Sequence, residues 1–264
     1  MGNMKKTWIN LLFLVFTLII NTFGALGLIN GLSQKQISDM YLTLITPSPS
    51  TFSIWSVIYT LLLLSLVVMI VKSQKDDSYY QNAINQITYL FRISCVLNIA
   101  WIIAFSYVKI ELSVLFIFLF VVVLARISQK LYQIQQGRHW LLPLSFGIYT
   151  GWLFIATVVN IAAALVKLGW NRWGIAEDIW AIITLIIAVL LIAAVLSKIR
   201  NAFFPLPVAW AYLGIYQFLR APEGFNGGFA LLQIVALVGM VVLIGLAAIQ
   251  FFRNNYSILP YSAK

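Results

Sequence analysis

Eight stretches of this chain, near residues 8–30, 52–71, 87–108, 112–133, 140–165, 179–197, 203–219 and 228–251, are apolar almost throughout. Each approaches the roughly 20 residues that a helix needs to cross the hydrocarbon core of a bilayer. No water-soluble fold absorbs so many such segments in 264 residues. The composition agrees: 62% of residues are hydrophobic, 9% are charged and the mean hydropathy is +0.96, against about 25% charged in soluble domains. The expected fold class is an all-α membrane protein, a polytopic helical bundle of about eight transmembrane helices. What lies between the spans is too short for a soluble catalytic domain.

The first window follows Lys5 and Lys6 and superficially resembles a secretory signal. It is longer than the roughly 7 to 15 residues of a signal core, and Gly24, Ala25 and Gly27 make a poor cleavage site, so a retained first helix is expected. With the N-terminus inside, Lys5, Lys6, Lys72, Lys75, Arg92, Arg126, Lys130, Arg138, Lys198, Arg200, Arg253 and Lys264 fall on the inner side. Lys35, Lys109, Lys167, Arg172 and Arg220 fall outside. The positive-inside rule therefore predicts both termini in the cytoplasm, here of a bacterial cytoplasmic membrane. The seventh window is the sensitive point. It is short and contains Pro205 and Pro207, and a re-entrant segment there would move the C-terminus outside.

The net charge of +10 is scattered over segment ends and forms no single patch, so no nucleic-acid partner is expected. The single Cys95 sits in an apolar run and gives neither a disulfide framework nor a metal-ligand spacing. His139 stands beside Trp140 at an interface, and no Asp or Glu lies inside a window. Conventional acid–base catalysis and a zinc site therefore have no visible residues, and no obligate cofactor is expected. Arg92 and Arg126 lie near inner helix ends and are expected to snorkel. Trp8, Trp140, Trp170, Trp173, Trp180 and Trp55 fall where an interfacial aromatic belt would place them; Trp101, Trp152 and Trp210 lie deeper.

In the first outer loop Ile37, Met40, Tyr41 and Leu44 recur at i, i+3, i+4 and i+7 between polar residues, the pattern of a short amphipathic helix. Such a helix either rests on lipid or covers a cavity. After Pro47 and Pro49 the second window presents Phe52, Trp55 and Tyr59 on one helical face. Asn98, Trp101 and Phe105 repeat this spacing in the third window, and Trp152, Ala156 and Asn160 align in the fifth. A lipid-facing Asn is costly, so Asn98 and Asn160 are expected to face the bundle interior, as packing glue or as part of a cavity.

These residues resemble the tryptophan-rich sensory protein family (TspO/MBR, relatives of the peripheral benzodiazepine receptor). The resemblance lies in a proline loop followed by an aromatic run and Trp-x-x-x-Tyr (Pro47, Pro49, Phe52, Trp55, Tyr59), then Asn-x-x-Trp-x-x-x-Phe (Asn98, Trp101, Phe105). It continues in a Trp eight positions before an Asn with an Ala-Thr step between (Trp152, Ala156, Thr157, Asn160). Phe52 precedes Trp55 by three residues instead of four, and a second Trp in the proline loop is absent. The resemblance covers about residues 8–165, dividing the chain into a five-helix unit, 1–166, and a three-helix extension, 167–264. It implies a pocket for a planar or rigid hydrophobic ligand, a tetrapyrrole such as protoporphyrin IX or heme, or a sterol-like molecule. Pro47, Phe52, Trp55, Tyr59, Asn98, Trp101, Phe105, Trp152, Ala156 and Asn160 are its expected binding residues. Light-driven porphyrin degradation is implied by the resemblance alone. A ligand-binding sensor, a permease for such a ligand and a structural or regulatory subunit are the three functions to separate. The expected partners are the bilayer and a hydrophobic small molecule, with homodimerisation left open.

Overall fold

A computed structural model describes residues 2–75, 77–135 and 137–261; Lys264, placed on the inner side above, lies outside the described residues. The described residues contain helices and connecting segments, and no strand. Seven helices are long and apolar enough to span a membrane. They are α1 (Asn3–Ala25), α3 (Ile54–Ser73, preceded by a 3-10 turn at Pro49–Ser53), α4 (Ser78–Ser106), α5 (Ile110–Gln133), α6 (Leu141–Lys167), α7 (Glu177–Ile199) and α9 (Ala230–Arg253). Two shorter helices complete the set, α2 (Gln34–Met40) and α8 (Leu206–Arg220). The protein is thus an integral membrane bundle.

Burial separates the centre from the rim. Half of the most apolar window of α4 and of α6 is buried, against 22% for α1 and α9, so α4 and α6 are the axis on which the rest packs. Large apolar side chains such as Leu12 and Phe16 on α1, Leu190 and Leu191 on α7 and Val238 and Val241 on α9 face outward. In a bilayer these are lipid contacts, at no hydrophobic cost. Helices α4, α5 and α6 pack in succession, α1 and α3 flank them, and α8 packs along α6 and against α9.

The seventh apolar window differs most from its expectation. Its helix has 15 residues, about 22 Å at the α-helical rise, short of the roughly 30 Å hydrocarbon core. Pro205 occupies the N-cap and Pro207 the first turn, where a missing N–H leaves no broken bond. The prolines therefore start the helix and do not kink it. Before them the chain runs non-helically inside the bundle, and several of its backbone groups are answered by other parts of the chain. The Asn201 side-chain amide donates to the Pro143 carbonyl (2.7 Å) while its oxygen accepts from the Phe203 N–H (3.0 Å). The Ala202 N–H donates to the Ile258 carbonyl (2.9 Å), and Asn254 Nδ2 donates to the Arg200 and Ile258 carbonyls (2.9 Å each). Residues 254–259 thus fold back as a hook against residues 200–202, with Leu259 fully buried. Non-helical backbone at membrane depth persists only with such internal partners.

Room for that segment comes from α6. Gly147 and Gly151 lie one turn apart; a Cβ on the first would meet Asn201 Oδ1 at 2.5 Å and on the second the Phe204 carbonyl oxygen at 2.1 Å. The contact at Gly151 is with backbone, which cannot rotate away. Gly151→Ala is therefore expected to destabilise by about 1–3 kcal/mol, seen as a lower thermal midpoint in detergent. Gly245→Ala, with nothing within 4 Å, is the control expected to leave the midpoint unchanged.

Candidate ligand-binding site

Two prolines and a run of hydroxyl residues keep the chain out of a regular helix between α2 and α3. Ser48 Oγ lies 3.0 Å from both Ser50 Oγ and Thr51 Oγ1, and Pro49 opens the 3-10 turn that carries Phe52. The tighter turn rotates Phe52 out of line with Trp55 and sets its ring edge-on to Trp152, centroids 5.9 Å apart at 89°.

Trp55 is the hub. Its ring stacks on Tyr59 (5.2 Å) and Trp101 (6.2 Å) and meets Tyr149 (6.1 Å) and Trp152 (6.2 Å) edge-on. Edge-to-face and offset arrangements align the positive rim of one ring with the negative face of another. Trp55 therefore belongs to the interior, not to the interfacial belt assigned from its depth alone. Trp8, Trp140 and Trp173, by contrast, are exposed at helix ends as a belt requires.

These rings wall a cavity of about 560 Å³ lined by α1, α2, the 3-10 turn, α3, α4, α6 and α8. Nine of the ten residues singled out in the sequence line it: Pro47, Phe52, Trp55, Tyr59, Trp101, Phe105, Trp152, Ala156 and Asn160. The tenth, Asn98, is fully buried beneath it. Asn98 Oδ1 accepts from Asn21 Nδ2 (2.7 Å) and its Nδ2 donates to the Tyr149 hydroxyl (3.0 Å). Asn21 Oδ1 in turn accepts from the Tyr59 hydroxyl (2.9 Å). The network ties α1, α3, α4 and α6 together as a polar floor, and saturating Asn98 from both sides is what keeps it out of the cavity. Asn21 and Tyr149 escaped the sequence reading. Asn21 carried the same signal as Asn98, a lone amide inside an apolar window, whereas Tyr149 had no distinguishing neighbour.

Over the top lies α2. A capping box at Ser33 and Gln36 fixes its start, with Ser33 Oγ accepting from the Gln36 N–H (3.2 Å) and Gln36 Oε1 accepting from the Ser33 N–H (2.8 Å). Ile37 is fully buried and Leu44 nearly so, while Met40 is exposed, so the expected apolar stripe is only partly turned inward. Gln34, Ile37, Ser38 and Tyr41 face the cavity, and the Lys35–Asp39 ion pair stands at its margin. The helix covers the cavity.

Most polar atoms of the lining already have partners. Trp101 Nε1 donates to Asn160 Oδ1 (3.3 Å), and Asn160 Nδ2 donates to the Ala156 carbonyl (2.8 Å). Trp152 differs: its ring is 2% exposed and its Nε1 has no hydrogen-bond partner. Buried indole N–H groups ordinarily find an acceptor.

The chain matches the family model for TSPO-like protein over residues 7–249. It belongs to the TSPO-like protein family. The match runs from α1 into α9 and so includes every helix that lines the cavity. Together, family and cavity make this TSPO-like chain a ligand-binding membrane protein. No curated protein and no solved structure matches it.

Two further residues have partners that the sequence did not name. Arg92 reaches toward the end of the bundle that carries Lys6: its Nε donates to Asn10 Oδ1 (2.9 Å) and its Nη2 to the Lys6 carbonyl (3.1 Å), pinning α4 to α1. His139 stacks on Tyr79 at 3.7 Å, at the end of the bundle remote from the cavity.

The floor and the unpaired indole respond differently to substitution. Asn98→Leu removes one hydrogen bond each from Asn21 and Tyr149 and is expected to lower thermal stability by about 1–2 kcal/mol, the upper range for interhelical hydrogen bonds in membranes. Trp152→Phe strands nothing and is expected to cost less, measured side by side in the same detergent.

Proposed function

We propose that this TSPO-like protein binds a planar or rigid hydrophobic ligand of the tetrapyrrole class, such as protoporphyrin IX, and serves as a membrane sensor or binding protein for it. The observation that carries the reading is the cavity itself, walled by the rings of Phe52, Trp55, Tyr59, Trp101, Phe105 and Trp152. The ring faces of Trp55 and Trp101 suit a flat conjugated ligand by stacking. A volume of about 560 Å³ lies within the roughly 300–1,000 Å³ of small-molecule sites. Carboxylate or carbonyl oxygens on such a ligand suit the polar side chains of the lining, Asn21, Tyr59 and Asn160.

Titrating purified protein with protoporphyrin IX is expected to quench tryptophan fluorescence saturably. Saturable quenching that persists unchanged after combined Trp55→Ala, Trp101→Ala and Trp152→Ala substitution would remove the pocket from the reading. Flux of the same ligand in proteoliposomes would replace binding by transport, and stable co-purification of a protein partner without ligand binding would favour a regulatory subunit.

We also place the end of the bundle that carries both termini in the cytoplasm. Among the described residues that end holds eleven Lys and Arg (Lys5, Lys6, Lys72, Lys75, Arg92, Arg126, Lys130, Arg138, Lys198, Arg200 and Arg253) and one acid, Asp77. The cavity end holds five of each sign. A bias of this size sets orientation through the positive-inside rule. The cavity then opens toward the outer face. A C-terminal green fluorescent reporter is expected to fluoresce and a C-terminal periplasmic phosphatase to stay inactive; the opposite pattern would invert the placement.

A further inference from the structure

One wall of the cavity comes from α8. Ala211, Gly214 and Phe218 fall at i, i+3 and i+7 on one face of that helix. Ala211 and Phe218 line the cavity while remaining 1% and 5% exposed. Between them Gly214 seats against the 3-10 turn so closely that a Cβ there would stand 1.9 Å from Thr51 Oγ1. Three hydrogen bonds hold the two elements at that distance. The Ser48 N–H donates to the Gly214 carbonyl (3.0 Å), Trp210 Nε1 to the Thr51 carbonyl (2.9 Å) and the Ser48 hydroxyl to Gln217 Oε1 (3.3 Å). Phe218 is held in its turn, its ring edge-on to Phe225 at 5.8 Å and its carbonyl accepting the Phe225 N–H at 3.2 Å.

A wall fixed in this way cannot retreat to admit a larger ligand, because moving α8 outward breaks buried hydrogen bonds that lipid cannot replace. Its chemistry is also one-sided. Ala211 and Phe218 have no side-chain donor or acceptor, whereas Asn21, Tyr59 and Asn160 on α1, α3 and α6 do. We propose that Ala211 and Phe218 are specificity-determining residues. They set the size limit of the cavity and select a rigid ring system that turns an apolar edge to α8 and its polar atoms to the α1, α3 and α6 side. This assignment rests on the ligand reading above.

Two probes of different size test it: protoporphyrin IX and 2-naphthoic acid, each titrated against intact protein by tryptophan quenching. Ala211→Phe is expected to weaken protoporphyrin IX by about tenfold or more and 2-naphthoic acid by less than about twofold. Phe218→Ala is expected to shift the ratio the other way. Equal loss of both probes in Ala211→Phe, or an unchanged ratio in both variants, overturns the proposal. A measurement without ligand separates its failure from that of the pocket reading. With Cys95→Ala as background, Phe218→Cys is expected to react quickly with methanethiosulfonate ethylammonium, and Ile215→Cys, fully buried and outside the lining, slowly. If the unmodified protein binds neither probe, the ligand reading fails, while fast labelling confined to position 218 still supports α8 as the wall. Equal rates at 218 and 215 overturn it.

Discussion

Hydrocarbon offers no hydrogen bonds, so every backbone group that leaves a helix inside the bilayer must find its partner within the chain. Two segments of this protein do leave helical geometry within the bundle, and the rest of the structure is arranged around satisfying them. Between α2 and α3, Pro47 and Pro49 interrupt the chain and the serine and threonine side chains, with α8, take up the freed groups. Between α7 and α8 it is Asn201 and Asn254 that do so. The first irregularity places Phe52 and Trp55. The second allows α8 to begin at a depth from which it reaches the first.

Seen this way, the cavity is the space that a helical bundle cannot close once its backbone has been bent at those two points. Large aromatic rings border it because they cover much area with few rotatable bonds. Trp55, in contact with four other rings, converts a gap between helices into a shaped surface. The polar floor of Asn21, Asn98, Tyr59 and Tyr149 then seals the surface from below. Within this shell the Trp152 N–H is buried without a hydrogen-bond partner.

Much of this was legible in the residue order. Apolar windows located the seven long helices, and helical spacing grouped the aromatic residues that share the cavity. The same spacing could not fix how far each helix turns about its axis relative to its neighbours. That rotation is why Trp55 resembled an interfacial residue by depth yet points inward, and why Asn98 faces the interior but braces Asn21 and Tyr149 in place of a ligand. Arg92 illustrates a related limit, since nothing near it in sequence announces Asn10 and the Lys6 carbonyl as partners. Ala211 and Phe218 were invisible for the opposite reason: an alanine and a phenylalanine in an apolar helix have no feature that separates a wall from a lipid contact. The length of α8 was obscured because apolar residues 203–205 continue its hydropathy after its hydrogen bonding has stopped.

The hook formed by residues 254–259 bears on the order in which the protein is built. Ser48 meets Gln217 across 169 positions, and the segment leading into α8 also bonds to Asn254 and Ile258. Contacts so distant along the chain form late, because the intervening loop must close before they contribute. The aromatic residues of α3, α4 and α6 are synthesised and inserted well before the helix that completes their enclosure. Until α8 arrives they border an open groove, and the wall that encloses them is supplied by the helix made after all the others that line the cavity.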